Sequence, residues 1–143
     1  MTNATMEKFG YPNTLIHDFG HWAVLVRPAQ VTLGSLVLAC TGDATSYGDI
    51  PAEAFVQQAD AVRAIERALK GFCAYDRINY LMLMMVDPHV HFHVIPRYSG
   101  TRDWSGLDFP DTGWPGPPQL QPAIALEDGE ICALRDQLKT FFA

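Results

Sequence analysis

Three histidines stand at alternate positions in the run VDPHVHFHVIPRY, Val86 to Tyr98: His89, His91 and His93. They are three of only five histidines in the chain. Side chains of a strand alternate between its two faces. An extended backbone therefore puts the three imidazoles on one face, and Val90, Phe92 and Val94 on the other, toward a core. Unpartnered buried imidazoles are costly, so the histidine face must be solvated, hydrogen-bonded or ligand-bound. Neutral imidazole is a nucleophile near neutral pH, and protonated imidazole is an acid and an anion binder. A row of them suits attack on a phosphorus, a hold on its oxygens and protonation of a leaving group. A metal site is another reading, since three histidines can hold zinc. Asp87 is adjacent, but no clear fourth ligand follows from the pattern. The plainest reading is an exposed strand face that happens to be histidine-rich.

The surrounding elements must present that strand. Leu15 to Phe19 is a possible short strand, HWAVLVRP (His21 to Pro28) reads as a strand, and VTLGSLVLAC (Val31 to Cys40) as its hairpin partner. Gly34 marks a bulge or a close backbone approach. Asp49 and Pro51 open a long amphipathic helix ending near Gly71, with Phe55, Ala59, Val62, Ile65, Leu69 and Phe72 as its apolar stripe. DRINYLMLMMV, 76 to 86, reads as a central strand buried on both faces, with Met82, Met84 and Met85 as core. Asp87 and Pro88 then turn the chain into the histidine strand. Residues 99 to 122, rich in Gly, Pro and Asp and carrying Trp104, Phe109 and Trp114, form a long loop of functional or packing significance. Ile131, Leu134, Leu138 and Phe141 place a C-terminal helix at about 127–142. The order predicts an α+β fold, a mostly antiparallel sheet with helices on one side, in a single domain spanning 1–143.

HVHFHVIPR fits the pattern His-φ-His-φ-His-φ-φ, with φ apolar, and the Pro-Arg that often follows it. In this the chain resembles the histidine triad (HIT) superfamily of nucleotide hydrolases and transferases. HWAVLVRPAQVTLGSLVLA resembles that family's earlier hairpin, so the likeness covers roughly residues 15 to 98. His93 in third place, rather than glutamine, points away from the galactose-1-phosphate uridylyltransferase branch. The resemblance implies a HIT-like fold and catalysis by His91, with His89 and His93 assisting. His91 would attack the α-phosphorus of a nucleotide conjugate, giving a nucleotidyl-histidine that water resolves. The conjugate would be a phosphoramidate, a phosphoester or a dinucleoside polyphosphate. The carbonyl of His89 would fix the tautomer of His91, and the side chains of His89 and His93 would touch phosphate oxygens or the leaving group. No cofactor and no metal are implied. A homodimer is implied, its sheet extended across a two-fold axis through INYLMLMMV.

Several positions depart from the family pattern. Val86 stands where a serine or threonine commonly precedes the triad by three residues, and VDP replaces a Gly-rich loop with glutamine. Ser35 replaces a histidine after the hairpin glycine, and Arg27 lies where an asparagine often contacts ribose. Arg27, Ser35, Asn79 and Arg97 are the candidate substrate-binding residues. His17 and His21 are read as structural. Two rival functions are a nucleotide-binding protein with little turnover and a metal-dependent hydrolase built on the histidines.

Composition narrows the partners. The net charge of −6 argues against broad nucleic-acid binding but not against a small anionic ligand. No apolar run reaches the roughly 18 residues of a membrane helix, and no signal-peptide pattern opens the chain. Cys40, Cys73 and Cys132 form no paired spacing, so buried free thiols in a reducing cytoplasm are expected.

Overall fold

The computed structural model describes residues 1–143. In chain order the elements are α1 (Ala4–Lys8), β1 (Leu15–Asp18), β2 (Trp22–Val26), β3 (Ala29–Gln30), β4 (Leu36–Cys40), a 3-10 turn (Tyr47–Asp49) and α2 (Ala52–Cys73). β5 (Arg77–Leu81), β6 (His91–Arg97), β7 (Thr101–Trp104), β8 (Leu107–Pro110), β9 (Ile124–Ala125) and α3 (Asp128–Phe142) follow. Five strands make one antiparallel sheet in the order β1-β2-β4-β6-β5. The α+β reading, with one long helix and a C-terminal helix, is what the chain adopts.

The sheet has two unlike faces. Trp22, Val24, Leu36, Leu38, Val94 and the residues of α2 and α3 that meet them form the main core. The Trp22 indole donates to the carbonyl of Ala54 at 2.7 Å, tying β2 to α2. On the other face β4 pairs Val37 with His93 and Ala39 with His91, so these four side chains stand together. Met6 of α1 packs there with Ala23, Leu25, Val37 and Ala39. The short helix α1 was not anticipated from the sequence. Its signal is Asn3, whose Oδ1 accepts the Met6 N–H at 3.0 Å while Nδ2 donates to the carbonyls of Cys40 and Gly42.

Several expectations need correction. The run 76–86 is not a central strand. Only Arg77–Leu81 is extended, and β5 lies at the sheet's edge with β6 as its one neighbour. Met84 turns back with φ 55°, and Met85 and Val86 are largely in solvent. An apolar run alone does not say whether a strand has one neighbour or two. The buried stripe of α2 is Ala54, Ala61, Ala64, Ile65, Ala68, Leu69 and Cys73, so Phe55 and Ala59 fall outside it. Small alanines let the helix lie close on the sheet, and the larger Phe55 stays at the rim. Gly71 sits inside α2, where an added Cβ would meet Phe141 at 3.1 Å. The helix ends instead at Ala74 in the left-handed region, with Arg102 donating to the carbonyls of Cys73 and Ala74. Gly34 does mark a close approach: its φ is +94°, and a Cβ there would come within 3.1 Å of Leu69. Cys40 and Cys73 are buried and Cys132 half-buried, all three free.

The stretch 99–122 is only partly loop. β7 and β8 form a hairpin whose turn, Ser105-Gly106, has both residues at positive φ. Beyond it the chain is pinned to β6 by Arg97, which sits on Asp111 through Nε at 2.7 Å and Nη2 at 3.1 Å. Both partners are almost fully buried. Arg97 also donates to Asn79 Oδ1 and to the carbonyl of Gly116. Removing one member of a buried ion pair leaves the other uncompensated. Asp111→Ala should therefore cost about 3–5 kcal/mol of stability, read from a denaturation curve. A loss below about 1 kcal/mol, the size expected of an exposed pair, would show that this contact does not hold the segment.

Candidate active site

β6 begins at His91, so His89 lies just ahead of the strand rather than within it. The rings of His91 and His93 meet edge to face with centroids 5.2 Å apart. The backbone before them is held tightly. Val90 donates to the carbonyl of Ala44 and accepts from the N–H of Cys40, while the N–H of His89 donates to Thr5 Oγ1. The carbonyl thus held, that of His89, lies 2.7 Å from His91 Nδ1. A carbonyl oxygen only accepts, so Nδ1 carries the ring proton and Nε2 carries the lone pair. His91 is 2% exposed. Yet Nε2 makes no hydrogen bond, and no buried side-chain nitrogen or oxygen lacks a partner. The small exposed part of the ring therefore includes Nε2.

His93 is fixed from the other side. Arg27 Nε donates to His93 Nδ1 at 3.4 Å, a long contact, and Arg27 Nη1 donates to the carbonyl of Ala29. Arginine only donates, so here Nδ1 bears the lone pair and Nε2 the proton. Burial first, then the charge of Arg27, pushes His93 down to about 4. His93 is thus a neutral N–H donor at physiological pH. Thr5 Oγ1 lies 3.0 Å from His89 Nδ1. Phe9, just past α1, packs against both inner rings with centroids 5.7 and 5.6 Å from His91 and His93. Thr5 and Phe9 were missed from the sequence because neither belongs to a motif. They arrive only when Asn3 anchors the N-terminal segment over the sheet.

The rings of His91 and His93 open on a cavity of about 120 Å³, also lined by Leu83, Met84, Met85, Val86 and Asp87. Asp87 is paired with Lys8 of α1 at 2.9 Å. No three His, Cys, Asp or Glu side chains are arranged to hold a metal ion.

The four candidate substrate-binding residues are not brought together. Arg27 reaches the triad, through His93. Ser35 is 0% exposed, its hydroxyl donating to the Thr32 carbonyl and accepting the Thr32 N–H, so it locks the hairpin turn instead of facing the site. Asn79 and Arg97 share the triad's face of the sheet but stand further along it, opposite Ile95 and Arg77 respectively. They line a separate cavity of about 790 Å³ at the edge of β5 with Trp114. The Arg97 guanidinium is already occupied by Asp111. His17 packs on Phe19 and Phe142, as a structural residue would.

No protein-family model matches the sequence, and no curated relative matches it. Solved structures do. A histidine triad protein from Bradyrhizobium japonicum is 21% identical and superposes with a TM-score of 0.75, covering 100% of this chain and 98% of the other. One from Sinorhizobium meliloti is 18% identical with a TM-score of 0.74, covering 98% and 95%. This chain has the histidine triad fold. A zinc-bound histidine triad protein from Mycobacterium smegmatis, 18% identical, superposes less closely, with a TM-score of 0.56 over 90% and 88% of the two chains. Within the histidine triad fold the alternating His strand occupies the inner position β6, flanked by β4 and β5.

The neutral state of His93 has a consequence for stability. Its folded pKa lies below the unfolded value of 6.5, so the unfolded chain binds the extra proton first. His93 therefore favours the fold above pH 6.5, and that contribution is lost as pH falls from 6.5 toward about 4. Denaturation midpoints at pH 7 and pH 4.5 should fall less steeply in His93→Gln than in the parent chain. Equal slopes would show that Arg27 and burial leave His93 unperturbed.

Proposed function

We propose that this protein is a nucleotidyl hydrolase or transferase in which His91 is the nucleophile. The observation that carries the reading is the 2.7 Å contact between His91 Nδ1 and the carbonyl of His89, which leaves Nε2 basic and accessible. His91 Nε2 bonds to the α-phosphorus of a nucleotide conjugate, and the bond to the leaving group breaks with its electron pair. Water then adds to phosphorus and the histidine–phosphorus bond breaks, releasing the nucleoside monophosphate. His93, with its Nε2–H, donates to a phosphate oxygen as negative charge concentrates there. Arg27 is a positioning residue: it holds His93 in that tautomer and adds positive charge behind it. His89, held by Thr5, stands on the leaving-group side of the reading. The cavity beside the rings is smaller than the several hundred Å³ of ordinary ligand pockets. A nucleotide enters by displacing the 82–88 segment or the α1 side of the site.

The reading is tested by incubation with labelled adenosine 5′-phosphoramidate and a diadenosine polyphosphate, quenched without acid. The label is expected on His91, and His91→Ala should lose turnover by on the order of 10³-fold or more. Nucleotide bound but never released as monophosphate, with no loss in His91→Ala, would make the protein a binder. Val86, a hydrocarbon side chain in the segment before the triad, is the observation that favours that second reading.

A homodimer is part of the proposal. β5 has β6 on one side and no strand on the other, so a row of main-chain N–H and C=O groups is open to a second copy. Light scattering should give twice the 15.9 kDa chain mass, and a monomer at micromolar concentration would refute the arrangement. The three free cysteines fit a reducing compartment such as the cytoplasm.

A further inference from the structure

We propose that Lys8 is a phosphate-binding residue of the triad site, held by Asp87 until a nucleotide phosphate displaces that carboxylate. This role rests on the nucleotidyl-transfer reading and supplies its site with a cation. The chain as a whole is acidic, with a net charge of −6, so an anionic substrate needs local positive charge at the attacked phosphorus. Arg27 stands behind His93, engaged with its Nδ1 and with the carbonyl of Ala29. Lys8 comes from the opposite side. Thr5 and Lys8 are three residues apart and Phe9 follows, so one side of α1 carries all three. Thr5 meets His89, and Phe9 packs on the rings of His91 and His93. Lys8 Nζ lies 2.9 and 3.1 Å from the two carboxylate oxygens of Asp87. Asp87 in turn lines the cavity onto which His91 and His93 open. After burial and the charge of Arg27, that of Lys8 also holds His93 low, and the carboxylate of Asp87 works against it. Both groups therefore act at the reacting rings.

The two partners are unequal. The Lys8 side chain is 52% exposed and that of Asp87 15%. The ammonium is the accessible member, and an ion pair half in water is weakly held. A phosphate offers several charged oxygens and makes short, charge-assisted contacts with an ammonium. Exchange of Asp87 for phosphate is thus favourable at the lysine. It also opens the site. Asp87 has no other side-chain partner, so once Lys8 turns to the substrate the phosphate repels the carboxylate toward water. Met85 and Val86 beside it are already exposed. The event that brings a cation to the phosphate therefore releases the 82–88 segment from α1.

The exchange predicts effects of opposite sign for the two partners. The measurement is Kd for adenosine 5′-monophosphate by titration calorimetry at low ionic strength. Lys8→Met should weaken binding ~10-fold, the loss expected of a hydrogen bond to a charged group, and Lys8→Arg should retain it. Asp87→Asn should tighten binding about 5-fold, as removal of a like charge about 4 Å away in water does. Both differences should shrink at high salt. Adenosine, which lacks the phosphate, should bind all four chains alike. Asn3 anchors α1 independently of Lys8, so thermal midpoints should stay near the parent value. Should Lys8→Met fail to fold, Asp87→Asn decides, since a weakened fold does not tighten binding. Weaker binding in both Lys8→Met and Asp87→Asn would reduce the pair to a structural tie and overturn the proposal. Unchanged affinity in either, or an equal change with adenosine, would do the same. With label still found on His91, those results would leave the nucleotidyl-transfer reading standing. Absence of label on His91 with every conjugate would remove that reading, and the role of Lys8 with it.

Discussion

The hydrogen bond between the His89 carbonyl and His91 Nδ1 is the constraint on which the site depends. Imidazole has two nitrogens and, when neutral, one proton. Whichever nitrogen meets an acceptor keeps the proton, and the other becomes the base. The carbonyl can make that choice only if its peptide does not move. Its neighbour Val90 is therefore bonded on both sides, to Ala44 and Cys40, and His89 itself to Thr5. The arrangement turns a general property of histidine into a directed one.

Each flanking ring receives its own partner, of opposite character. His93 faces a cation through Nδ1, which makes it the mirror tautomer of His91 and keeps it uncharged. Adjacent rings with opposite proton placement put a lone pair on one and an N–H on the other, the pair that the proposed attack on phosphorus would use. Two charged rings 5.2 Å apart would repel each other and have no nucleophilic nitrogen.

The sheet separates stability from chemistry. Its helix-covered face carries the large apolar core, including Trp22 and the alanine stripe of α2. The triad face is covered lightly, by α1 and the chain around it on one side and by the Arg97–Asp111 anchored segment on the other. Small residues, Ala23 and Ala39, lie next to His91 on that face and leave room for the rings.

The histidine strand, its apolar reverse face, the β2–β4 hairpin and both long helices were legible in the sequence. Alternation and 3.6-residue periodicity are local consequences of backbone geometry. The same local rules misplaced β5, because an apolar run does not reveal how many neighbours a strand will have. They also grouped Ser35, Asn79 and Arg97 with the triad, although Ser35 is spent on its own turn and Arg97 on Asp111. Thr5, Phe9 and the cavity-forming turn at Met84 were invisible, since each matters only through contact with residues far away in the chain. The sequence by itself determined which side chains share a face, because a strand's period is set within a few residues. The tertiary structure alone decided which nitrogen carries each proton, because that depends on the partner that long-range packing sets against each ring.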